Sequence, residues 1–207
     1  MTIGLVGSHR VGKTTLAEAV SNDTDLPLIL TSTSSVCRDM GIDPAVEMTF
    51  AKRMRLQNAI LDHLELEWRA ELAFITDRTP IDCLMYTTAD ITSGTAVSAK
   101  EYRLYKDYAS RCFELTNQLF STLVVVQPGI PIIEDTSKVT AALNESYMEH
   151  LNIIAMGLVR DERIKAKSFY IHRQGLSMNH RVNAVMDAWT KTIEHSGVME
   201  LDRSAMH

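Results

Sequence analysis

The residues best suited to chemistry stand near the start of the chain. Gly7, Ser8, His9, Arg10, Val11, Gly12, Lys13 and Thr14 follow the spacing G-x-x-x-x-G-K-[ST]. Glycines let a backbone wrap closely round an anion, and the peptide N–H groups from Gly7 through Thr15 supply the donors. Lys13 is expected to reach the β- and γ-phosphates of a nucleotide. Thr14 is expected to hold Mg²⁺ through its hydroxyl. His9 counts here for its backbone N–H alone. A second group follows some way on, where Phe74-Ile75-Thr76 runs into Asp77-Arg78-Thr79-Pro80-Ile81-Asp82. A carboxylate such as Asp77 can accept a proton from an attacking hydroxyl or orient a Mg²⁺ shell. An arginine beside it, Arg78, can clamp a phosphate in bidentate fashion. Asp82 reads either as a cap or buttress of the next helix or as a plain helix-start acid.

These groups need rigid elements to aim them. Thr2-Ile3-Gly4-Leu5-Val6 is a short apolar run fit for a buried strand, and Thr15-Leu16-Ala17-Glu18-Ala19-Val20 begins a helix. Strand, glycine loop and helix together place an anion at a helix N-terminus. Further strands are predicted over 27–31, 73–76, 122–127 and 167–172. Leu123-Val124-Val125-Val126 is a β-branched run of the kind buried on both faces. Helical patterns cover 13–21, 45–71, 81–90, 99–120, 138–159 and 178–195. Ser98 and Glu101 form a capping box at the start of the fourth. Its Tyr102, Tyr105, Tyr108 and Phe113 read as core or groove lining. Alternating strands and helices predict an α/β fold: a three-layer α/β/α sandwich on a five-stranded parallel sheet, with ligands at the carboxyl ends of the strands. No linker or repeat breaks the chain, so residues 1–207 read as a single domain.

Bulk composition narrows the class. The 207 residues are 45% hydrophobic and 23% charged, ordinary for a globular protein. A net charge of −5 argues against a protein that coats nucleic acid, while leaving room for a local basic groove. No run approaches a membrane span, and a phosphate loop at residue 7 leaves no space for a leader. Cys37, Cys83 and Cys112 lack C-x-x-C spacing and read as small buried residues of a reduced, cytoplasmic protein. Seven histidines show no metal-ligand spacing.

The Gly7–Thr14 loop with Asp77-Arg78-Thr79-Pro80-Ile81-Asp82 resembles the nucleoside and nucleotide kinase branch of P-loop proteins. Within it, the likeness is closest to phage and bacterial deoxynucleoside monophosphate kinase-like proteins and to the group near nicotinamide-riboside kinases. Thymidylate kinase relatives also end the third strand in an Asp-Arg pair. The resemblance implies ATP and Mg²⁺ as cofactors and a small nucleotide acceptor. It implies a bacterial or phage-infected cytoplasm, and a homodimer formed through a helix such as 45–71. It assigns Asp77 to catalysis or Mg²⁺ orientation and Arg78 to the acceptor's phosphate or the transferred group. It places the acceptor over residues 31–71: the hydroxyl run Thr31–Ser35, Arg38 as a monophosphate clamp, Arg53 and Arg55, and Gln57 to read a base edge. Arg173, in the loop after the last strand, is expected to stack on adenine.

One departure stands out. Many such kinases carry several arginines in a lid after the fourth strand. Here the lid-like region, about 128–163, opens with Pro128-Gly129-Ile130-Pro131 and holds only Lys138 before Arg160 and Arg163. Those two arginines, or Arg10 within the loop, are left to supply the lid charge. Rival readings are a kinase of hydroxymethylated bases in phage DNA, a nucleoside or nicotinamide-riboside kinase, and an ATP-binding switch module. A GTPase is disfavoured because no N-K-x-D segment occurs.

Overall fold

The computed structural model describes residues 1–43, 46, 48–91, 98–130 and 145–204, and of 196–204 the backbone only. In chain order the elements are β1 (Thr2–Val6), α1 (Lys13–Thr24), β2 (Leu28–Ile29), α2 (Ser34–Asp39), α3 (Phe50–Arg69) and β3 (Phe74–Thr76). They continue with α4 (Pro80–Ala89), α5 (Ala99–Leu119), β4 (Thr122–Val126), α6 (Glu145–Val159), β5 (Lys167–Ile171) and α7 (Met178–Ser204). The strands form one parallel sheet in the order β2-β3-β1-β4-β5. β1 is central; the chain first lays down the outer β2 and then β3 on one side of it, and afterwards β4 and β5 on the other. The crevice at the carboxyl end of β1 is therefore the switch point where such sheets take ligands.

Strand alternation explains the continuous apolar runs. Ile3 and Leu5 of β1 and Val124 and Val126 of β4 pack with Leu16, Ala17 and Val20 of α1 and Val182, Val185 and Ala188 of α7. Val6, Leu123 and Val125 face the other way, into a core with Trp68, Leu61, Ile81, Tyr108 and Leu151 from α3, α4, α5 and α6. Both faces are covered, so no strand position needs a polar residue. Trp68 and Phe74 meet Phe120 edge-on in that second core, with centroids 5.6 and 5.7 Å apart.

Several boundaries differ from expectation for identifiable reasons. β2 is an edge strand of two residues, paired only with β3, and its ladder starts at the carbonyl of Pro27, which accepts from the Ile75 N–H. The helix expected from residue 45 begins at Phe50, because Thr49 caps it by accepting from the Lys52 N–H. α2 was not foreseen; it takes up Ser34 and Ser35 of the hydroxyl run. The Ser98–Glu101 capping box is present at α5. Tyr108 and Phe113 are buried there, but Tyr102 is exposed, with Lys106 near its ring, and so lines no core. The apolar stripe of α3 (Met54, Ile60, Leu61, Leu64 and Trp68) is buried in the chain's own core. All three cysteines are free and buried. Residues 131–144, with Lys138 and the start of the helix predicted over 138–159, lie outside the described residues. Among the described residues no helix is long and apolar enough to cross a membrane.

Candidate active site

The glycine loop leaves β1 and enters α1 directly. Arg10 and Gly12 have φ of 60° and 85°, so left-handed residues interrupt the loop and turn successive N–H groups inward. Gly12 is the N-cap of α1 and makes no side-chain cap bond, which leaves the first N–H groups of the helix to a ligand. Gly7 has φ of 154°, and a Cβ there would stand 2.6 Å from the Val126 carbonyl oxygen. A side chain at Gly7 would push the loop off β4.

Lys13 folds back along the loop and donates to the carbonyl oxygens of Gly7 and Ser8. Its Nζ lies 3.7 Å from Oδ1 of Asp82, which is 1% exposed. Asp82 accepts from the N–H of Gly7 at 3.0 Å, and from the N–H and hydroxyl of Thr79 at 2.9 and 2.7 Å. Burial raises the Asp82 pKa and lowers that of Lys13, and each partner pulls the other back towards its charged form. All these contacts are donors, so Asp82 is held as a carboxylate. It closes the capping box of α4, the first of the two roles considered above, and it also buttresses the phosphate loop at Gly7, a role that residue order did not suggest.

Asp77 and Arg78 follow β3 and line one cleft of about 350 Å³ with Ser8, His9, Lys13 and Thr14. The Thr14 hydroxyl donates to Asp77 Oδ2 at 2.6 Å. Asp77 Oδ1 is buried and has no hydrogen bond among the described residues. Two hard oxygen donors thus converge beside the loop. Mg²⁺ usually takes one or two such protein ligands and completes its shell with phosphate and water, so this pair fits it. Thr76 Oγ1 accepts from the Arg78 N–H and donates to the Arg78 carbonyl, pinning the turn that carries both residues.

Two groups that sequence reasoning passed over pack against the phosphate loop. The His9 side chain lies between Tyr86 of α4 and Tyr147 of α6, with ring centroids at 6.2 and 5.9 Å. His9 therefore contributes more than its backbone N–H. Tyr86 lies one helical turn after Asp82, and that i,i+4 spacing was the signal that could have found it. Arg181 of α7 is 1% exposed. It donates from Nε to the Gly175 carbonyl at 2.7 Å and from Nη1 to the Val11 carbonyl at 2.8 Å. Nothing in the local sequence distinguishes it from a surface arginine.

The expected acceptor residues are less gathered. Arg53 donates to Asp90 at 2.8 Å, at the far end of α4. Arg38 is exposed on α2, Gln57 is half-buried on α3, and neither lines the cleft. Arg55 lines a shallow hollow with Lys52, Met40 and Ile42. Arg173 is tied to Glu149 by two bonds of 2.8 and 2.6 Å and borders a second cavity with Gly129 and Ile130. Stacking on a base would require it to leave that pair. Arg160 and Arg163 precede β5 and so lie at the amino end of the sheet, opposite the cleft. Arg163 pairs with Asp161 and covers the Phe113 ring, while Arg160 bonds Tyr170. Neither lines the cleft. Of the arginines considered for the lid charge, only the exposed Arg10 borders the cleft.

No protein-family model matches the chain, and no curated protein matches its sequence. Solved structures do resemble it. Deoxyadenosine kinase from M. mycoides with bound dATP superposes with a TM-score of 0.65 at 14% identity, covering 92% of this chain and 100% of that one. NadR protein in complex with NR gives 0.61 at 12% identity, over 90% of this chain and 50% of the other. Thymidylate kinase from Candida albicans gives 0.53 at 15% identity, over 98% and 92%. The fold is that of the P-loop nucleoside and nucleotide kinases.

Proposed function

We propose that the protein is an ATP-dependent phosphotransferase whose acceptor is a small nucleotide, a (deoxy)nucleoside monophosphate. The observation that carries this reading is the Thr14–Asp77 hydrogen bond. It joins the phosphate loop to the end of β3, with Lys13 and Arg78 lining the same cleft. Lys13 neutralises the β- and γ-phosphates, and Thr14 and Asp77 hold Mg²⁺, which when bound offsets the charge of the transferred group. Arg78 orients the phosphoryl group or the acceptor's phosphate. Asp77 also stands where it can accept a proton from a hydroxyl acceptor. Catalysis in this arrangement is mostly positioning and charge neutralisation.

A nucleoside acceptor is the second reading. The Arg53–Asp90 pair favours it, because an arginine already tied to a carboxylate presents a neutral hydrogen-bonding edge and no bare cation for a phosphate. The fold likeness to deoxyadenosine kinase points the same way. An acceptor screen separates the two. The protein with ATP and Mg²⁺ is offered nucleoside monophosphates, nucleosides, and DNA with hydroxymethylated bases, and ADP release and product mass are read. A diphosphate product establishes the first reading and a monophosphate product the second. Phosphate on DNA alone moves the acceptor to a polymer. ADP release independent of any acceptor overturns the kinase reading in favour of a switch module.

A further inference from the structure

Arg181 is a buried cation whose bonded partners are backbone carbonyls. No carboxylate pairs with it among the described residues, and its Nη2 makes no hydrogen bond there. Burial lowers its pKa, yet a guanidinium stays charged at neutral pH. A buried charge answered only by dipoles is costly. Its position gives that cost a purpose. Nη1 lies 3.3 Å from where a Cβ on Gly12 would stand, at the left-handed residue that opens α1. Arg181 does not line the cleft itself, so its charge sits behind the loop whose N–H groups face the anion. One end of the loop is held at the Gly7 N–H by Asp82, and the Val11 carbonyl further along is held by Arg181. The other Arg181 bond goes to Gly175, in the β5–α7 turn closed by the Gly175 N–H on the His172 carbonyl.

We propose that Arg181 is a positioning residue of the nucleotide site. It ties the phosphate loop at Val11 to the β5–α7 turn at Gly175 and adds positive charge behind the loop, where a ligand's polyphosphate answers it. The inference rests on nucleotide binding at the loop and is independent of which acceptor is used.

The test measures binding of Mg²⁺·ATP and of inorganic tripolyphosphate by titration, alongside Tm, in wild type, Arg181→Met, Arg181→Lys and Val185→Ala. Arg181→Met is expected to raise the dissociation constants of both ligands by about tenfold or more, the range for losing charge-assisted bonds. Arg181→Lys keeps the charge but not the two-point bridge and is expected to recover part of that loss. If Arg181→Met does not fold, an intermediate weakening in Arg181→Lys carries the result. Val185→Ala loosens the α7 core, and its Tm should fall while both constants hold. Constants within about twofold of wild type in both arginine variants, less than a typical hydrogen bond contributes, overturn the inference. So does a Val185→Ala effect on binding as large as theirs. Acceptor-dependent turnover is read separately, so a wild type that binds ATP but phosphorylates nothing sinks the kinase reading alone.

Discussion

At the phosphate loop, several charged and polar groups are tied to backbone or to each other. Lys13 holds loop carbonyls, Asp82 holds the Gly7 N–H, Thr14 holds Asp77 and Arg181 holds Val11. Among the residues expected to hold an acceptor the picture changes. Arg53 is spent on Asp90, Arg38 is exposed, and Gln57 is half-buried without lining the cleft. The first region is organised before any ligand arrives, and a ligand there completes a field already in place. In the second, an acceptor must draw side chains away from existing partners or from solvent. Substitutions in the two regions should therefore fail differently: the loop side in turnover, and in stability as well where a buried pair is broken, the other side in KM for the acceptor.

The largest expected effect follows from removing Lys13. Lys13→Ala should lower kcat by about a thousandfold or more, since in the proposed reaction the loop lysine carries transition-state charge. It also strands the Asp82 carboxylate, and breaking a buried pair costs about 3–5 kcal/mol. An unchanged Tm in Lys13→Ala would show that the pair does not hold the loop.

Asp77→Asn comes next, with kcat down about a hundredfold or more. Its amide oxygen can still accept from Thr14, so Tm should barely move. Near-normal turnover in this variant would remove Asp77 from the site. Arg53→Ala and Asp90→Asn probe the other region. Each should raise the acceptor KM by about tenfold, the order of one charge-assisted bond, and leave ATP binding unchanged. Weakened ATP binding in either would erase the distinction between the two sides.

The smallest effect belongs to a pair remote from both. Asp161 is held at about 2 by hydrogen bonds from Arg163. Its folded pKa lies below the ordinary value of 3.8, so its contribution is present above that value and is lost as pH falls towards about 2. Arg163 is 54% exposed, so Asp161→Asn should cost less than about 1 kcal/mol at neutral pH. The difference from wild type should vanish in urea melts as the pH is taken down through that window. A cost that persists at the acid end would trace to packing against Phe113 instead of charge.

Much of the architecture was legible in the residue order. The loop motif, the apolar runs with their helical intervals and the capping box at Ser98 each draw on contacts within a few positions, where periodicity and turn chemistry act. Asp77 and Arg78 were legible because they end a buried strand. The acceptor side was harder. Arg53 reads alike whether it faces solvent or Asp90, because nothing local marks a partner 37 residues away. Arg160 and Arg163 looked available for a lid, until β5 placed them at the wrong end of the sheet.

Residue order by itself thus determined the phosphate loop, the parallel α/β layering and the strand that delivers Asp77. Each is written in neighbouring residues. Tertiary structure alone decided what holds the loop: Asp82 reaches Gly7 across 75 positions and Arg181 reaches Val11 across 170. The sheet brings those helices to the same loop, and only then do a helix-start acid and an ordinary arginine become buried charges with a shared task.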